Sequence, residues 1–350
     1  MQSSNILHTA MKKRPFSPLQ KNLLALVLGI CMHFPAWAGA EAPVLSLPAD
    51  CVPGTTCWLV NFVDHDPGPE ARDYRCGRLS YDTHKGTDIA IANDAVMHKG
   101  VDVLAAAPGR VLRVRDGVAD STKADLESAT ALRGRECGNG LVIDHGDDWT
   151  TQYCHMKAGS IRVQPGDRVE RGAVLGRIGR SGRSEFPHVH VTVRQGARVI
   201  DPFTGDSNIS ACVTAAEPAG LWARDLKAAL GYPGPQPFHL GFAAARPGAD
   251  DIQAGRLSES RFSTSVAALV FWTEVFSLHK GDVISLSLTG PNGRPVAENK
   301  VTIDRPLAKW HGFAGRKRPA PDWPRGTYTG RVEITRNGES VEKSAMAVVE

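Results

Sequence analysis

Glu185-Phe186-Pro187-His188-Val189-His190-Val191-Thr192-Val193 is the stretch on which the fold turns. Its residues alternate, and in a β-strand residues two apart point to the same face. His188, His190 and Thr192 therefore share one face of an expected strand, and Val189, Val191 and Val193 share the other. The valine face reads as core. Two imidazoles on the opposite face each need a hydrogen-bond or metal partner if they are buried. A half-exposed polar face would fit the same pattern, so the reading depends on what other segments bring.

Two other segments bring partners. Upstream, Tyr81-Asp82-Thr83-His84-Lys85-Gly86-Thr87-Asp88 sets His84 and Asp88 four apart, around a glycine that lets the backbone fold tightly. Imidazole and carboxylate are ordinary zinc ligands, and two His with one Asp would leave a fourth position open, as catalytic sites do. Spacing does not decide which histidine of the 188/190 pair would join them. Between these pieces lies Thr151-Gln152-Tyr153-Cys154-His155-Met156, where strand alternation puts Tyr153 and His155 on one face and Gln152 and Cys154 on the other. His145 reads as exposed, and Asp64-His65-Asp66, in a Pro/Gly-rich loop without a spaced partner, reads as a solvated turn.

Composition bounds the rest. The chain carries 41 basic and 37 acidic residues. Residues 1–38 look like a cleaved signal peptide: a basic start at Lys12, Lys13, Arg14 and Lys21, an apolar run from Leu23 to Cys31, and a small-x-small site at Ala36-Trp37-Ala38. All four of those basic residues leave with it and no acidic ones do, so the remainder is balanced and points to no nucleic-acid partner. The apolar run is too short for a comfortable bilayer span, so no stable membrane anchor is expected. Cys51, Cys57, Cys76, Cys137, Cys154 and Cys212 remain, an even number that suggests disulfides in an exported chain, without choosing among fifteen connectivities.

Residues 39–76 read as a loop-rich segment with one strand at Cys57 to Val63. Short strands with turn signals follow, interrupted by a charged insertion at 116–136 with a short helix from Lys123 to Leu132. Residues 214–237 form a linker. From 238 to 350 the strands Val266 to Leu278, Asp282 to Leu288, Lys300 to Ile303, Thr327 to Thr335 and Val341 to Val349 suggest a small β-sandwich with the hairpin turn Asn337-Gly338. No chemistry shows there, so an accessory module, with a possible protein partner, is the expectation.

The ordered set His-x-x-x-Asp, Gly-Asn-Gly, Val-Ile-x-His-Gly, Gln-Tyr-x-His, Pro-Gly-Asp-x-Val and Pro-His-x-His, from Tyr81 to Thr204, resembles the M23 peptidases, the lysostaphin/LytM-type zinc metallopeptidases of peptidoglycan. The resemblance implies an antiparallel β-sheet/β-roll peptidase domain over 77–213; with the β-sandwich (Ig-like) domain read after it, an all-β chain is expected. It implies His84, Asp88 and His190 as ligands of Zn2+, with His155 and His188 as catalytic histidines. It further implies an endopeptidase acting on peptidoglycan stem or cross-link peptides, and the signal-like start makes a periplasmic or secreted location the expectation. The alternative is a non-catalytic LytM-like adaptor that binds and activates a cell-wall amidase, although such adaptors have typically lost metal ligands. No His-Glu-x-x-His is present to provide a glutamate base. Unperturbed histidines in that role would lose activity as pH drops through ~6–6.5.

Overall fold

Strand alternation places the valines of His188–Gln195 in a continuous apolar core, and the rest of the first sheet is arranged around that strand. The computed structural model describes residues 41–350 apart from 122, 129, 131, 208–219 and 258. The signal-peptide reading of 1–38, the linker residues 214–219 and Cys212 thus lie outside the described residues. The described residues make one compact unit.

The first half contributes β1 (Cys57–Asn61), β2 (Thr87–Ile91), helix α1 (Asp94–Lys99), β3 (Asp102–Leu104), β4 (Gly109–Arg115) and helix α2 (Lys123–Glu127). It continues with β5 (Asn139–Gly146), β6 (Trp149–Met156), β7 (Arg168–Val169), β8 (Val174–Arg177), β9 (His188–Gln195) and β10 (Arg198–Ile200). The main antiparallel sheet runs β1-β2-β9-β6-β5-β4-β7, with β10 also on β9 and a separate β3-β8 pair. Its apolar face, with Ile89, Ile143, Tyr153 and Val191, packs against Val103, Leu175 and Ile178. Tyr153 is fully buried, and its hydroxyl accepts the Ala106 N–H at 2.8 Å.

The second half holds β11 (Gln236–Ala243), helix α3 (Ala249–Gln253), β12 (Arg261–Phe262), β13 (Ala268–Leu278), β14 (Val283–Thr289), β15 (Pro295–Thr302), β16 (Leu307–Lys317), β17 (Gly326–Arg336) and β18 (Glu339–Val349). A three-stranded sheet, β11-β13-β16, and a five-stranded sheet, β12-β18-β17-β14-β15, share one core that includes Phe271, Val275, Leu286, Val332 and Ile334. The all-β architecture agrees with the alternation read in the sequence. Strand β16 was not foreseen, β15 starts earlier than expected, and α2 ends at Glu127 rather than reaching Leu132.

Two polar segments depart from the reading of their surroundings. Asp64-His65-Asp66 is not a solvated turn: His65 is buried and its Nε2 lies 2.8 Å from buried Asp201, while Asp64 accepts the N–H groups of Asp66, Arg72 and Thr83. His145 is not exposed either. It is half-buried, donates Nδ1–H to the Pro108 carbonyl at 2.7 Å and pairs with Thr151 Oγ1. The Ala106 bond gives a stability test. Tyr153→Phe leaves a buried N–H without its acceptor and is expected to lower unfolding free energy by about 1–3 kcal/mol in urea titrations.

Candidate active site

Cross-strand partners in an antiparallel sheet project to the same face. β2 pairs with β9 so that Asp88 stands opposite His190 and Ala90 opposite His188. The sequence-predicted ligands His84, Asp88 and His190 converge: Asp88 Oδ1 is 2.8 Å from His190 Nδ1 and 3.2 Å from His84 Nε2, and these two nitrogens are 3.1 Å apart. Gly86 makes the approach possible, since a Cβ there would stand 2.7 Å from His190 Nε2 and 2.5 Å from the Val191 carbonyl oxygen.

Partners behind each ligand fix which atom faces inward. His84 donates Nδ1–H to the Phe62 carbonyl at 2.6 Å, which leaves Nε2 as the lone-pair atom. His190 Nε2 pairs with Thr192 Oγ1 at 3.0 Å, and Asn61 Nδ2 donates to Asp88 Oδ2 at 2.8 Å. Three electron-pair donors thus face one another, an arrangement that repels unless a cation lies among them. Ligands on a tetrahedral zinc stand roughly 3.3–3.6 Å apart at bond lengths of ~2.0–2.2 Å. Opening the cluster by a few tenths of an ångström would meet that spacing, so the donor set fits a divalent ion.

Electrostatics agrees. Burial alone would raise the Asp88 carboxyl, but the His84 and His188 rings beside it, with the close contacts to His190 and His84, hold it well below the usual carboxylate range. Burial lowers His190, outweighing its bond to Asp88.

The two remaining histidines lie against this cluster. His188 donates Nδ1–H to the Phe186 carbonyl at 2.9 Å, with Ser184 Oγ also close, and its Nε2 is 3.6 Å from Asp88 Oδ1. His155 donates Nδ1–H to the Ser181 carbonyl at 2.8 Å, and its ring centroid is 4.6 Å from that of His188. In both rings Nε2 is left as the basic nitrogen. Burial pushes His155 well below the ordinary imidazole value, and the nearby His188 and His190 add to the effect.

The route by which His155 reaches the site corrects the face assignment. Tyr153 is opposite Val191 and Cys154 opposite His190, so Tyr153 faces the core and Cys154 faces the site side. Regular alternation would then send His155 into the core. Its φ of 63° breaks the alternation and turns the ring to the site. Cys154 is bonded to Cys137, and Cys51 to Cys57.

Sequence reasoning assigned no role to Asn61, to Tyr81 or to the carbonyls of Ser181 and Phe186. Tyr81 is 53 % exposed, with its ring centroid 4.4 Å from that of His84. Its place three residues before His84 was the available signal. Backbone carbonyls leave none.

Residues 82–202 match the family profile described as Peptidase family M23. The chain carries a peptidase family M23 domain. The M23 domain resembles those of several named relatives. Peptidoglycan DD-endopeptidase ShyB of Vibrio cholerae is 32 % identical over 87 residues, covering 25 % of this chain and 20 % of that protein. DD-carboxypeptidase/endopeptidase Mpg of Neisseria meningitidis is 31 % identical over 108 residues, covering 30 % and 22 %. The chain thus spans about a quarter or less of the length of the curated relatives it matches. Among solved structures, the catalytic domain of the prophage-encoded M23 protein EnpA of Enterococcus faecalis aligns at 26 % identity over 45 % of this chain and 88 % of that one, with a TM-score of 0.28.

The Asn61 bond offers a test of the candidate metal site. Asn61→Ala frees the Asp88 carboxylate to rotate and is expected to weaken Zn2+ binding by about 10–100-fold in chelator competition.

Proposed function

We propose that this chain is an exported zinc endopeptidase that hydrolyses peptide bonds in peptidoglycan stem or cross-link peptides, with His84, Asp88 and His190 as metal ligands and His155 and His188 as catalytic residues. The observation that carries the proposal is the meeting of all five side chains in one buried cluster within an M23 domain. Named endopeptidase relatives support the substrate class. The Cys51–Cys57 and Cys137–Cys154 disulfides and the signal-like pattern of 1–38 support an oxidising destination, and among the described residues no helix is long and apolar enough to cross a membrane.

Zinc held by the three ligands would activate water at neutral pH and polarise the scissile carbonyl. Hydrolysis also needs a group to take a proton from the attacking water and one to give a proton to the leaving amine. His155 and His188 each keep Nδ1–H on a backbone carbonyl, so each presents Nε2 for that exchange or for hydrogen bonding to the developing oxyanion. Water is largely kept from both rings, since His155 is 7 % and His188 5 % exposed.

A zymogram on purified peptidoglycan, with and without chelator, tests the reading. Clearing that vanishes with chelator is expected. His188→Ala should lower hydrolysis by about 10²–10⁴-fold while zinc stays bound. An amidase-activating adaptor would show no clearing of its own and would tolerate the substitution.

The pH profile differs from that of unperturbed histidines. Because burial depresses His155, its imidazole stays neutral below the ordinary ~6.5 and takes up a proton only at lower pH. The rate is therefore expected to persist at pH 6 and to fall at more acidic values. A His155-dependent rate already lost between pH 7 and 6 would contradict this assignment.

A further inference from the structure

Both catalytic-histidine anchors lie in one loop. The Ser181 carbonyl holds His155 and the Phe186 carbonyl holds His188, so the position of the loop 179–187 sets the orientation of both rings. The backbone of this loop is tied to the first half, with Ser121 N–H donating to the Arg180 carbonyl, Arg180 N–H to Asp120 Oδ1 and Arg183 N–H to the Glu136 carbonyl, and further side-chain contacts reach it from the second half.

An apolar contact meets the loop at Phe186. Its ring centroid lies 5.6 Å from that of Phe276 on β13, which in turn stacks on Phe238 of β11 at 3.9 Å. Trp58 and Val60 of β1, with Ala90 of β2, complete this buried cluster. A polar chain meets the loop at Arg180. Buried Glu274 on β13 accepts from Lys309 Nζ on β16 at 2.7 Å, and Lys309 Nζ also donates to Gln253 Oε1 on α3 at 2.6 Å. Gln253 Nε2 donates to Asp94 Oδ1 on α1 at 3.1 Å, and the other oxygen of Asp94 lies 3.3 Å from Arg180 Nη1. Lys309 joins the two routes, because Nζ stands 6.0 Å from the Phe186 ring centroid and 5.8 Å from that of Phe238.

We infer that the C-terminal sheets are a brace for the catalytic loop, with Lys309, Gln253 and Phe276 as positioning residues that orient His155 and His188 through Ser181 and Phe186. None of these three touches the metal ligands. The brace therefore acts on proton transfer and leaves metal binding alone, which separates it from a general contribution to folding. The inference rests on the peptidase reading only for its kinetic consequence; the orientation of the two rings can be read without catalysis.

The test uses the full chain with Gln253→Leu and Lys309→Met. Gln253→Leu removes the middle of the polar chain from a half-buried position on a short helix, and it carries the test if Lys309→Met does not fold. With Zn2+ content at the wild-type level, kcat on a cross-linked muropeptide is expected to fall about 10–100-fold, as for reacting groups misplaced by about an ångström. KM should stay within about twofold. Nuclear magnetic resonance of the imidazole Nδ1–H protons of His155 and His188 supplies the second readout, with exchange against solvent about tenfold faster in the variants. Accelerated exchange in a protein without any hydrolytic activity would keep the brace and remove the peptidase reading. Wild-type kcat together with wild-type exchange in the folded variants would overturn the brace and leave the peptidase reading standing.

Discussion

The register of β2 against β9 is the constraint on which the site depends. It sets Asp88 beside His190 on one face while Ile89 and Val189 meet on the other. A slip of one residue would send every side chain of β9 to the opposite face, burying imidazoles in the core and exposing valines. Packing of Val189, Val191 and Val193 against the first-half core therefore holds Asp88 and His190 in register. The partner opposite His188 is Ala90, whose small side chain leaves room for a ring that reaches within 3.6 Å of the Asp88 carboxylate.

Against that regular framework, His155 is the deliberate irregularity. A non-glycine residue in the left-handed region costs about 1–3 kcal/mol and persists where its surroundings over-determine it. Here the backbone is held on both sides: His155 N–H donates to the Cys137 carbonyl at 2.8 Å, and Gly179 N–H donates to the His155 carbonyl at 3.0 Å. The Cys137–Cys154 disulfide closes the same corner. The high cysteine content of the first half thus serves, at this pair, to fix the backbone where the His155 ring leaves its strand.

The parts of this arrangement that were legible in the sequence are those carried by local periodicity or by an ordered motif set. Alternation identified the two faces of β9, and the motif order gathered His84, Asp88 and His190. Tyr153 and His155 were misassigned because alternation presumes an unbroken strand, and a single positive φ is invisible to it. His65 was taken as solvated because its partner, Asp201, is 136 residues away in the chain. Strand β16 escaped notice because Gly312 and Gly315 interrupt it. In the fold Trp310 lies over Gly312, where an added Cβ would stand 2.2 Å from the indole, so an aromatic ring occupies the space the glycine leaves.

The contact between the two halves has a character that hydrophobic burial alone does not explain. Phe238, Phe276, Phe186 and Trp58 would suffice to join them. Yet Glu274 is 3 % exposed and ion-paired with Lys309, and taking such a pair out of water often contributes nothing to stability. What a hydrogen-bonded charge supplies and an apolar side chain does not is direction: Lys309 can meet Glu274 and Gln253 together in only a narrow range of geometries. The polar chain therefore selects one placement of α3 against α1 among the several that aromatic packing would tolerate. Gly255, just past α3, reinforces the choice, because its approach to Ala95 leaves no space for a Cβ. A joint specified this closely suits a loop whose two carbonyls must aim two imidazoles at the same small volume.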